Sequence, residues 1–364
     1  MRTKAAVIRE KSGPFIIEEV ELEEPRNDEV LVRIVGSGIC HTDLMARDQY
    51  IEVPLPGVFG HEGSGIVENV GSEVKKVKAG DHVVLSFFSC GVCPSCLRGI
   101  PTRCSIYFTC NLGGSRIDGS PTMRKDGEII HANFVGQSSF ALYSLANERN
   151  VVKVRKDAPL EMLGPLSCAV QTGAGAVMNT LRPEACSSIV VFGTGAVGLS
   201  AVLAANAAFC SPIIAVDINP DRLKLAQEFG ATHTINPHDT DPVQEILNIT
   251  KTGADYSLEC TGLPAVLRNA VDVLAMGGVC GMIGVPPSGV EVSLDMRHLL
   301  DGRRIAGIIV GDSIGDIFIP KMVDLYMRGL FPFDRMIKFY PFDQINQAVE
   351  DCEKGSTIKA VLRP

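Results

Sequence analysis

One stretch, Ile189 to Gly198, restricts the architecture more than any other. Ile189-Val190-Val191-Phe192 is wholly apolar, and Gly193-Thr194-Gly195-Ala196-Val197-Gly198 follows without a gap. A short run of that kind suits a parallel strand covered on both faces. An alanine-rich segment reaching about Ala208 then reads as a helix. Between strand and helix, G-x-G-x-x-G lets the backbone approach a pyrophosphate at the helix N-terminus, where unpaired N–H groups and the dipole attract anions. A second apolar run, Ile213–Val216, ends on Asp217, nineteen residues after Gly198. An acid there can hydrogen-bond both ribose hydroxyls. Helix and strand patterns alternate onward through Tyr256–Glu259 and Val279–Ile283 to a sixth strand at Ile305–Val310. The fold expected for residues 170–310 is a six-stranded, doubly wound Rossmann domain of the α/β class. A glycine-rich turn in another α/β protein would leave Asp217 unexplained. Gly193, Gly195, Ala196, Val197, Gly198 and Asp217 are the candidate cofactor contacts, with Arg222 a little further along. The expected cofactor is NAD, because Asp217 would meet the 2′-phosphate of NADP charge to charge. Arg222 lies too far along its helix to be assumed to rescue that clash.

The first 85 residues have a different texture. Val30–Val35, Gly65–Val70 and His82–Leu85 read as short strands, closely punctuated by glycine and proline. Cys90, Cys93, Cys96 and Cys104 follow at spacings of three, three and eight, with turn formers between them. Four thiolates so close together form a closed Cys₄ zinc site of the structural type. A pair of disulfides is the competing reading, disfavoured in a reducing compartment. Upstream, His61 and Glu62 are hemmed in by Gly57, Gly60, Gly63, Gly65 and Gly71. Cys40 precedes His61 by twenty-one residues, and Cys168 follows much later. Two thiolates and one imidazole leave a fourth position open, which marks a catalytic zinc. These three residues can also be read as a glycine-rich turn and two core cysteines. Phe134–Leu145 has alternating strand character, and Ala169–Met178 reads as a helix leaving this domain. The tail, residues 311–364, is too short to fold alone. Residues 1–169 and 311–364 are therefore assigned to one irregular β-rich catalytic domain.

Composition bounds the partners. The chain has 364 residues, 46% of them apolar, and a net charge of −8. The acidic balance and the lack of a basic run argue against nucleic acid. No apolar stretch is long enough for a membrane span, and charges break the N-terminus too early for a secretory leader. A cytoplasmic location is the expectation.

With these pieces assembled, the chain resembles the zinc-containing medium-chain alcohol dehydrogenases. Gly60, His61, Glu62, Gly65, Gly71 and Val74 match their G-H-E-x-x-G-x-x-x-x-x-G-x-x-V signature in full. The resemblance extends through Cys40-His41-Thr42-Asp43, the Cys90–Cys104 lobe, Cys168, Gly193–Gly198, Asp217-Ile218-Asn219 and Gly284-Val285-Pro286-Pro287, and covers essentially the whole chain. Within the family it is most similar to the benzyl (aryl) alcohol and geraniol dehydrogenases, above all through F-P-F-D-R-M-I-K-F-Y-P-F-D-Q-I-N-Q-A. The resemblance implies reversible oxidation of a primary aromatic or allylic alcohol to the aldehyde, with hydride passing to NAD. Cys40, His61 and Cys168 would hold the catalytic zinc, with Glu62 beside it as a transient ligand. Asp43 would orient the His61 ring, Thr42 would take the substrate proton, and His41 would sit near the pyrophosphate. Val285 joins the cofactor set. Some relatives place a histidine where this chain has Met45, so the proton would leave by the cofactor ribose or Asp48. Phe87, Tyr107, Phe108 and Val285-Pro286-Pro287 are candidate walls for the substrate. Two zinc ions per chain and a homodimer or homotetramer are expected. The alternatives are a glutathione-dependent formaldehyde dehydrogenase, a terpene alcohol dehydrogenase, and a binding-only protein, which would be expected to lose ligands that are all present here. Cys110, Cys186, Cys210, Cys260, Cys280 and Cys352 read as buried thiols.

Overall fold

The computed structural model describes residues 1–364. The chain divides into two units, one of residues 1–168, 314–329 and 334–364, the other of residues 169–313 and 330–333. The boundaries expected from the sequence fall after 169 and 310, with 330–333 in the first domain. No helix is long and apolar enough to cross a membrane.

The first unit is built on two sheets. Gly57–Val58, Arg2–Ile8, Ile16–Leu22, Met123–Lys125 and Glu128–Ile130 lie side by side in that order. The larger sheet runs Val151–Lys153, His82–Leu85, Glu62–Val70, Glu29–Gly38, Lys359–Arg363 and Ile337–Pro341, with Tyr143–Asn147 also paired to Glu29–Gly38. One core is aromatic, with Phe15, Phe59, Phe134 and Phe140 buried around Arg2–Ile8. The other is aliphatic, with Val30, Val32, Ile34, Val67, Val83 and Leu85 facing one another across the larger sheet. Burying side chains of this kind contributes about 1.5–3 kcal/mol each. It holds the strands on which the Cys40 and His61 loops are mounted.

Phe134–Leu145 departs from the expected strand. Only Tyr143–Asn147 is extended in the sheet, and Phe134–Gly136 is a 3₁₀ turn with Val135 at φ 50°. Polar side chains take the backbone's partners instead. Ser138 Oγ donates to the Val58 carbonyl at 2.6 Å and accepts the Phe134 N–H at 2.8 Å, and Ser144 Oγ bonds the Gln137 carbonyl. Such local side-chain bonds compete with a strand ladder. The expected sixth nucleotide-domain strand is also shorter, Arg304–Gly307, because a 3₁₀ turn follows at Val310–Asp312 with Gly311 at φ 62°.

The second unit is one parallel sheet in the order His233–Ile235, Ile213–Val216, Ile189–Phe192, Ala254–Glu259, Leu274–Met282 and Arg304–Gly307. Numbered by sequence this is 3-2-1-4-5-6, the order of a dinucleotide-binding sheet whose ligand crevice opens where the winding reverses. Ile189–Phe192 lies at the centre with all four residues buried, which is why that run carries no polar alternation. Asn219 caps the helix Pro220–Glu228 and Asp241 caps Pro242–Thr250, each accepting two N–H groups ahead of an N-terminal proline.

The C-terminal strand brings a charge into the interior of the first unit. Lys359 Nζ donates to both Glu62 carboxylate oxygens and to the Ile39 carbonyl, each at 2.9 Å. Lys359 is 3% exposed and Glu62 is fully buried. Burial pushes the Glu62 carboxyl up to about 7, against the pull of the Lys359 ammonium. Burial also works against the charge on Lys359, but Glu62 outweighs it and holds the ammonium above the ordinary lysine range. Lys359→Met should cost about 3–5 kcal/mol, the scale for stripping one partner from a buried ion pair, read as a shift of the denaturation midpoint. The double variant Glu62→Gln/Lys359→Met should recover part of that loss. A cost below about 1 kcal/mol for the single variant would mean the pair behaves as a solvated one.

Candidate active site

Cys40 sits just past the end of Glu29–Gly38 and is the N-cap of the helix His41–Arg47. That short helix places Thr42 and Asp43 in its first turn. Asp43 is fully buried, and its carboxylate meets three partners. It accepts the Cys40 N–H at 2.9 Å and the Gly60 N–H at 3.0 Å, and lies 2.8 Å from His61 Nδ1. His61 Nε2 is thereby turned toward the two thiols. Gly60 has φ +90°, and a Cβ there would sit 2.5 Å from the Phe140 nitrogen, so the bend before His61 admits only glycine. The His61 carbonyl accepts from Gln137 Nε2 and from Ser167 Oγ, both at 2.9 Å. Ser167 precedes Cys168, so this contact fastens the third loop to the second.

The outcome is a cluster of donor atoms. Sγ of Cys40 lies 3.9 Å from Sγ of Cys168, and His61 Nε2 lies 3.2 Å from Sγ of Cys168. All three ligand atoms fall within 4.8 Å of one another. Two thiolates on one tetrahedral zinc stand about 3.8 Å apart, given Zn–S bonds of about 2.3 Å. The donor set therefore fits zinc in spacing as well as in chemistry, and three protein ligands leave a fourth position for a substrate.

The other sequence-derived residues take varied places around this cluster. Thr42 is half-buried, with Oγ1 3.8 Å from Sγ of Cys40. His41 is exposed. Glu62 adjoins His61 in the chain but is held by Lys359, so any approach to the metal position must first break that pair. Asp48 is held by Arg47 through two contacts of 2.7 and 2.8 Å, which lower its pKa and make it a poor proton exit. Met45 is buried. Phe87 is buried and packs on Tyr107 with ring centroids 5.6 Å apart. Burial raises the Tyr107 phenol above its usual range, and the nearby charge of Cys168 adds to the effect. Phe108 is 67% exposed, which removes it from a buried wall. Cys186, expected to be a core thiol, is exposed as well.

Cys90, Cys93, Cys96 and Cys104 form a second cluster, also with all four sulfurs within 4.8 Å. The Cys90 and Cys96 sulfurs are 3.9 Å apart, the tetrahedral spacing again and far from the roughly 2.0 Å of a disulfide. N–H groups of Cys96 and Ser105 lower the Cys93 thiol to about 5. Cys90 and Cys104 accept the N–H groups of Cys93 and Cys90, at 3.3 and 3.4 Å. Thiolates accepting backbone N–H bonds inside tight turns are ready to close around a metal.

In the second unit the nucleotide residues lie where the sheet reverses. Gly195 is the N-cap of the helix Ala196–Ala207, with no side chain capping it. A Cβ on Gly195 would meet nothing within 4 Å, whereas one on Gly198 would sit 1.8 Å from the Gly193 carbonyl. The first observation is the cradle a pyrophosphate needs, and the second is close strand–helix packing. Ala196 and Val197 form the first turn of that helix. Asp217 directly follows the strand Ile213–Val216 and is 8% exposed. Its Oδ2 accepts the Thr194 N–H at 2.6 Å and the Thr194 hydroxyl at 2.9 Å, and its Oδ1 accepts the Asn219 N–H at 2.9 Å. Less of this carboxylate is free for the ribose than the sequence suggested. Arg222 has a buried Nε without a partner, and Val285 is 56% exposed. Sequence reasoning missed Lys359, Gln137, Ser167 and Thr194. Only Lys359 left a local trace, as a charge opening a strand whose next three residues, Ala360, Val361 and Leu362, are apolar.

Comparison with known proteins agrees with this geometry. Residues 26–156 match the alcohol dehydrogenase GroES-like domain, and residues 196–327 match the zinc-binding dehydrogenase domain. The geraniol dehydrogenase of Castellaniella defragrans is 46% identical over 99% of this chain and 97% of its own. The S-(hydroxymethyl)glutathione dehydrogenase of Paracoccus denitrificans is 39% identical over the full length of both. The crystal structure of benzyl alcohol dehydrogenase from Acinetobacter calcoaceticus superposes with a TM-score of 0.97 at 46% identity, over 100% of this chain and 99% of that one. The open Cys40–His61–Cys168 set, the Cys₄ lobe and the dinucleotide sheet thus have one common explanation: the chain belongs to the zinc-dependent medium-chain alcohol dehydrogenases.

Proposed function

We propose that this enzyme interconverts primary benzylic or allylic alcohols and their aldehydes, with NAD as the hydride carrier. The observation that carries the substrate class is the Phe87–Tyr107 ring pair, centroids 5.6 Å apart, which shares its unit with the Cys40–His61–Cys168 donors. Oxidation at such a carbon gives a conjugated aldehyde, and a flat apolar substituent calls for a wall of this kind. Zinc held by Cys40, His61 and Cys168 would supply the Lewis acidity that makes an alcohol proton acidic near neutral pH. Thr42 Oγ1 takes that proton, and with Met45 inert and Asp48 engaged by Arg47, the ribose of the cofactor is the remaining exit. Asp43 holds the His61 ring and fixes which nitrogen faces the metal. Full-length similarity to a geraniol dehydrogenase and to a benzyl alcohol dehydrogenase, at 46% identity each, supports both members of the class.

A second zinc in the Cys90–Cys104 lobe completes the proposal. Cys93→Ser should lower the thermal midpoint, whereas Cys168→Ser should abolish turnover and leave the fold intact. Metal analysis giving one zinc or none in active protein would contradict the double assignment. Self-association into a homodimer or homotetramer is also proposed. Its support is an open sheet edge at Arg304–Gly307, near Met296 and Leu300, which are 84% and 86% exposed. Sedimentation showing a monomer at assay concentration would refute it.

Thr42→Val should slow oxidation about 10²-fold or more, the scale of a positioned proton-transfer group; an unchanged rate would move the relay elsewhere. Burying a phenyl ring should contribute about 2 kcal/mol, or roughly thirtyfold in kcat/KM, over ethanol. A panel of ethanol, hexanol, benzyl alcohol, cinnamyl alcohol, geraniol and S-hydroxymethylglutathione, run with NAD and with NADP, decides the reading. Ethanol equal to benzyl alcohol defeats the aromatic assignment. The glutathione adduct ahead of every alcohol would replace it.

A further inference from the structure

We propose that Thr194 is a positioning residue for coenzyme selectivity, its hydroxyl locking the Asp217 carboxylate in the orientation that accepts an adenosine ribose and rejects a 2′-phosphate. The proposal rests on the NAD reading above.

Asp217 has three donors on its two oxygens. The Thr194 N–H and hydroxyl both point at Oδ2, and the Asn219 N–H points at Oδ1. A carboxylate has about four lone-pair sites, two on each oxygen. Oδ2 is therefore filled, and one acceptor site on Oδ1 is left for the ribose. Thr194 is fully buried, so no solvent competes for its hydroxyl. The lock fixes the direction of the free site as well as its number. A carboxylate tied on both oxygens cannot swing aside to admit a phosphate, and it keeps its charge where the 2′-phosphate would lie.

The same chain of bonds continues to the only guanidinium named in the cofactor set. Asn219, whose N–H holds Oδ1, accepts the Asp221 and Arg222 N–H groups with its own side chain at the start of Pro220–Glu228. Arg222 Nε is buried without a partner. Thr194 thus anchors one end of this chain of bonds, on Asp217 Oδ2. It occupies the first variable position of the G-x-G-x-x-G segment, where the chain needs no hydroxyl for the turn itself.

The test compares Thr194→Val, which keeps shape and loses the hydroxyl, with Thr194→Ser, which keeps the hydroxyl. The holoenzyme is assayed for kcat and KM with NAD and NADP, and NADH binding is followed by fluorescence. Thr194→Val should raise KM for NAD about tenfold, the scale of one hydrogen bond to a charged group, with kcat changed less than threefold. The NAD/NADP preference should narrow by about tenfold, and Thr194→Ser should stay near wild type. In an Asp217→Gly background, Thr194→Val should no longer alter the preference. A preference unmoved by Thr194→Val, a serine variant as impaired as valine, or an equal loss in the Asp217→Gly background would each overturn the proposal. If Thr194→Val does not fold, Thr194→Ala supplies the same comparison. A wild type that itself prefers NADP would refute the NAD reading, while the ratio between variants would still decide the role of Thr194.

Discussion

The buried carboxylate of Asp43 is the contact on which the catalytic unit turns. It holds the N–H of Cys40, the N–H of Gly60 and the ring of His61 at once. Hydrogen bonds to an ionised acceptor are about twice as strong as neutral ones. Two loops that would otherwise be independent are thereby set in one geometry. The third loop joins through Ser167 and the His61 carbonyl. Three donor side chains from distant points of the chain arrive at spacings that suit tetrahedral zinc because their backbones are bonded to one another. Removing this acid would loosen two ligands together.

Asp217 plays a comparable part in the nucleotide unit. It joins the glycine-rich turn, through Thr194, to the start of the next helix, through Asn219. In both units a nearly buried acid organises loops that a ligand will later touch. Binding then need not bear the entropy of ordering them. The Glu62–Lys359 pair does similar work at longer range, tying the last strand of the chain to the strand that begins beside His61. Such pairs are weak sources of net stability, because desolvation offsets most of their attraction. This one specifies where the C-terminal strand docks and keeps a second carboxylate from crowding the metal position.

How much of this was legible in the sequence depended on distance along the chain. The Cys90–Cys104 cluster could be read because its four thiols lie within one short loop. The nucleotide sheet could be read because its apolar runs, glycines and terminal acid recur locally, and the structure places Ile189–Phe192 at the centre of that sheet. The Cys40–His61–Cys168 set spans 128 residues, so spacing alone left a turn and two core thiols equally open. The rest of the chain and its family likeness separated them. The pairing of Lys359 was illegible because its partner Glu62 lies 297 residues away. Phe134–Leu142 was misread because apolar alternation says nothing of side chains such as Ser138 and Gln137 that bond backbone in place of a neighbouring strand. Phe108 failed for a related reason: aromatic character does not reveal which way a loop side chain points.

The central claim is that Asp43 and Ser167 assemble an open zinc site from Cys40, His61 and Cys168, separate from the closed Cys₄ lobe. Diffraction from crystals of the purified, active protein on both sides of the zinc absorption edge tests it most directly. The account predicts two anomalous peaks per chain, one bounded by Sγ of Cys40, Nε2 of His61 and Sγ of Cys168, and one inside the Cys90–Cys104 cluster. Turnover in crystals of protein with no peak at the first position would contradict it.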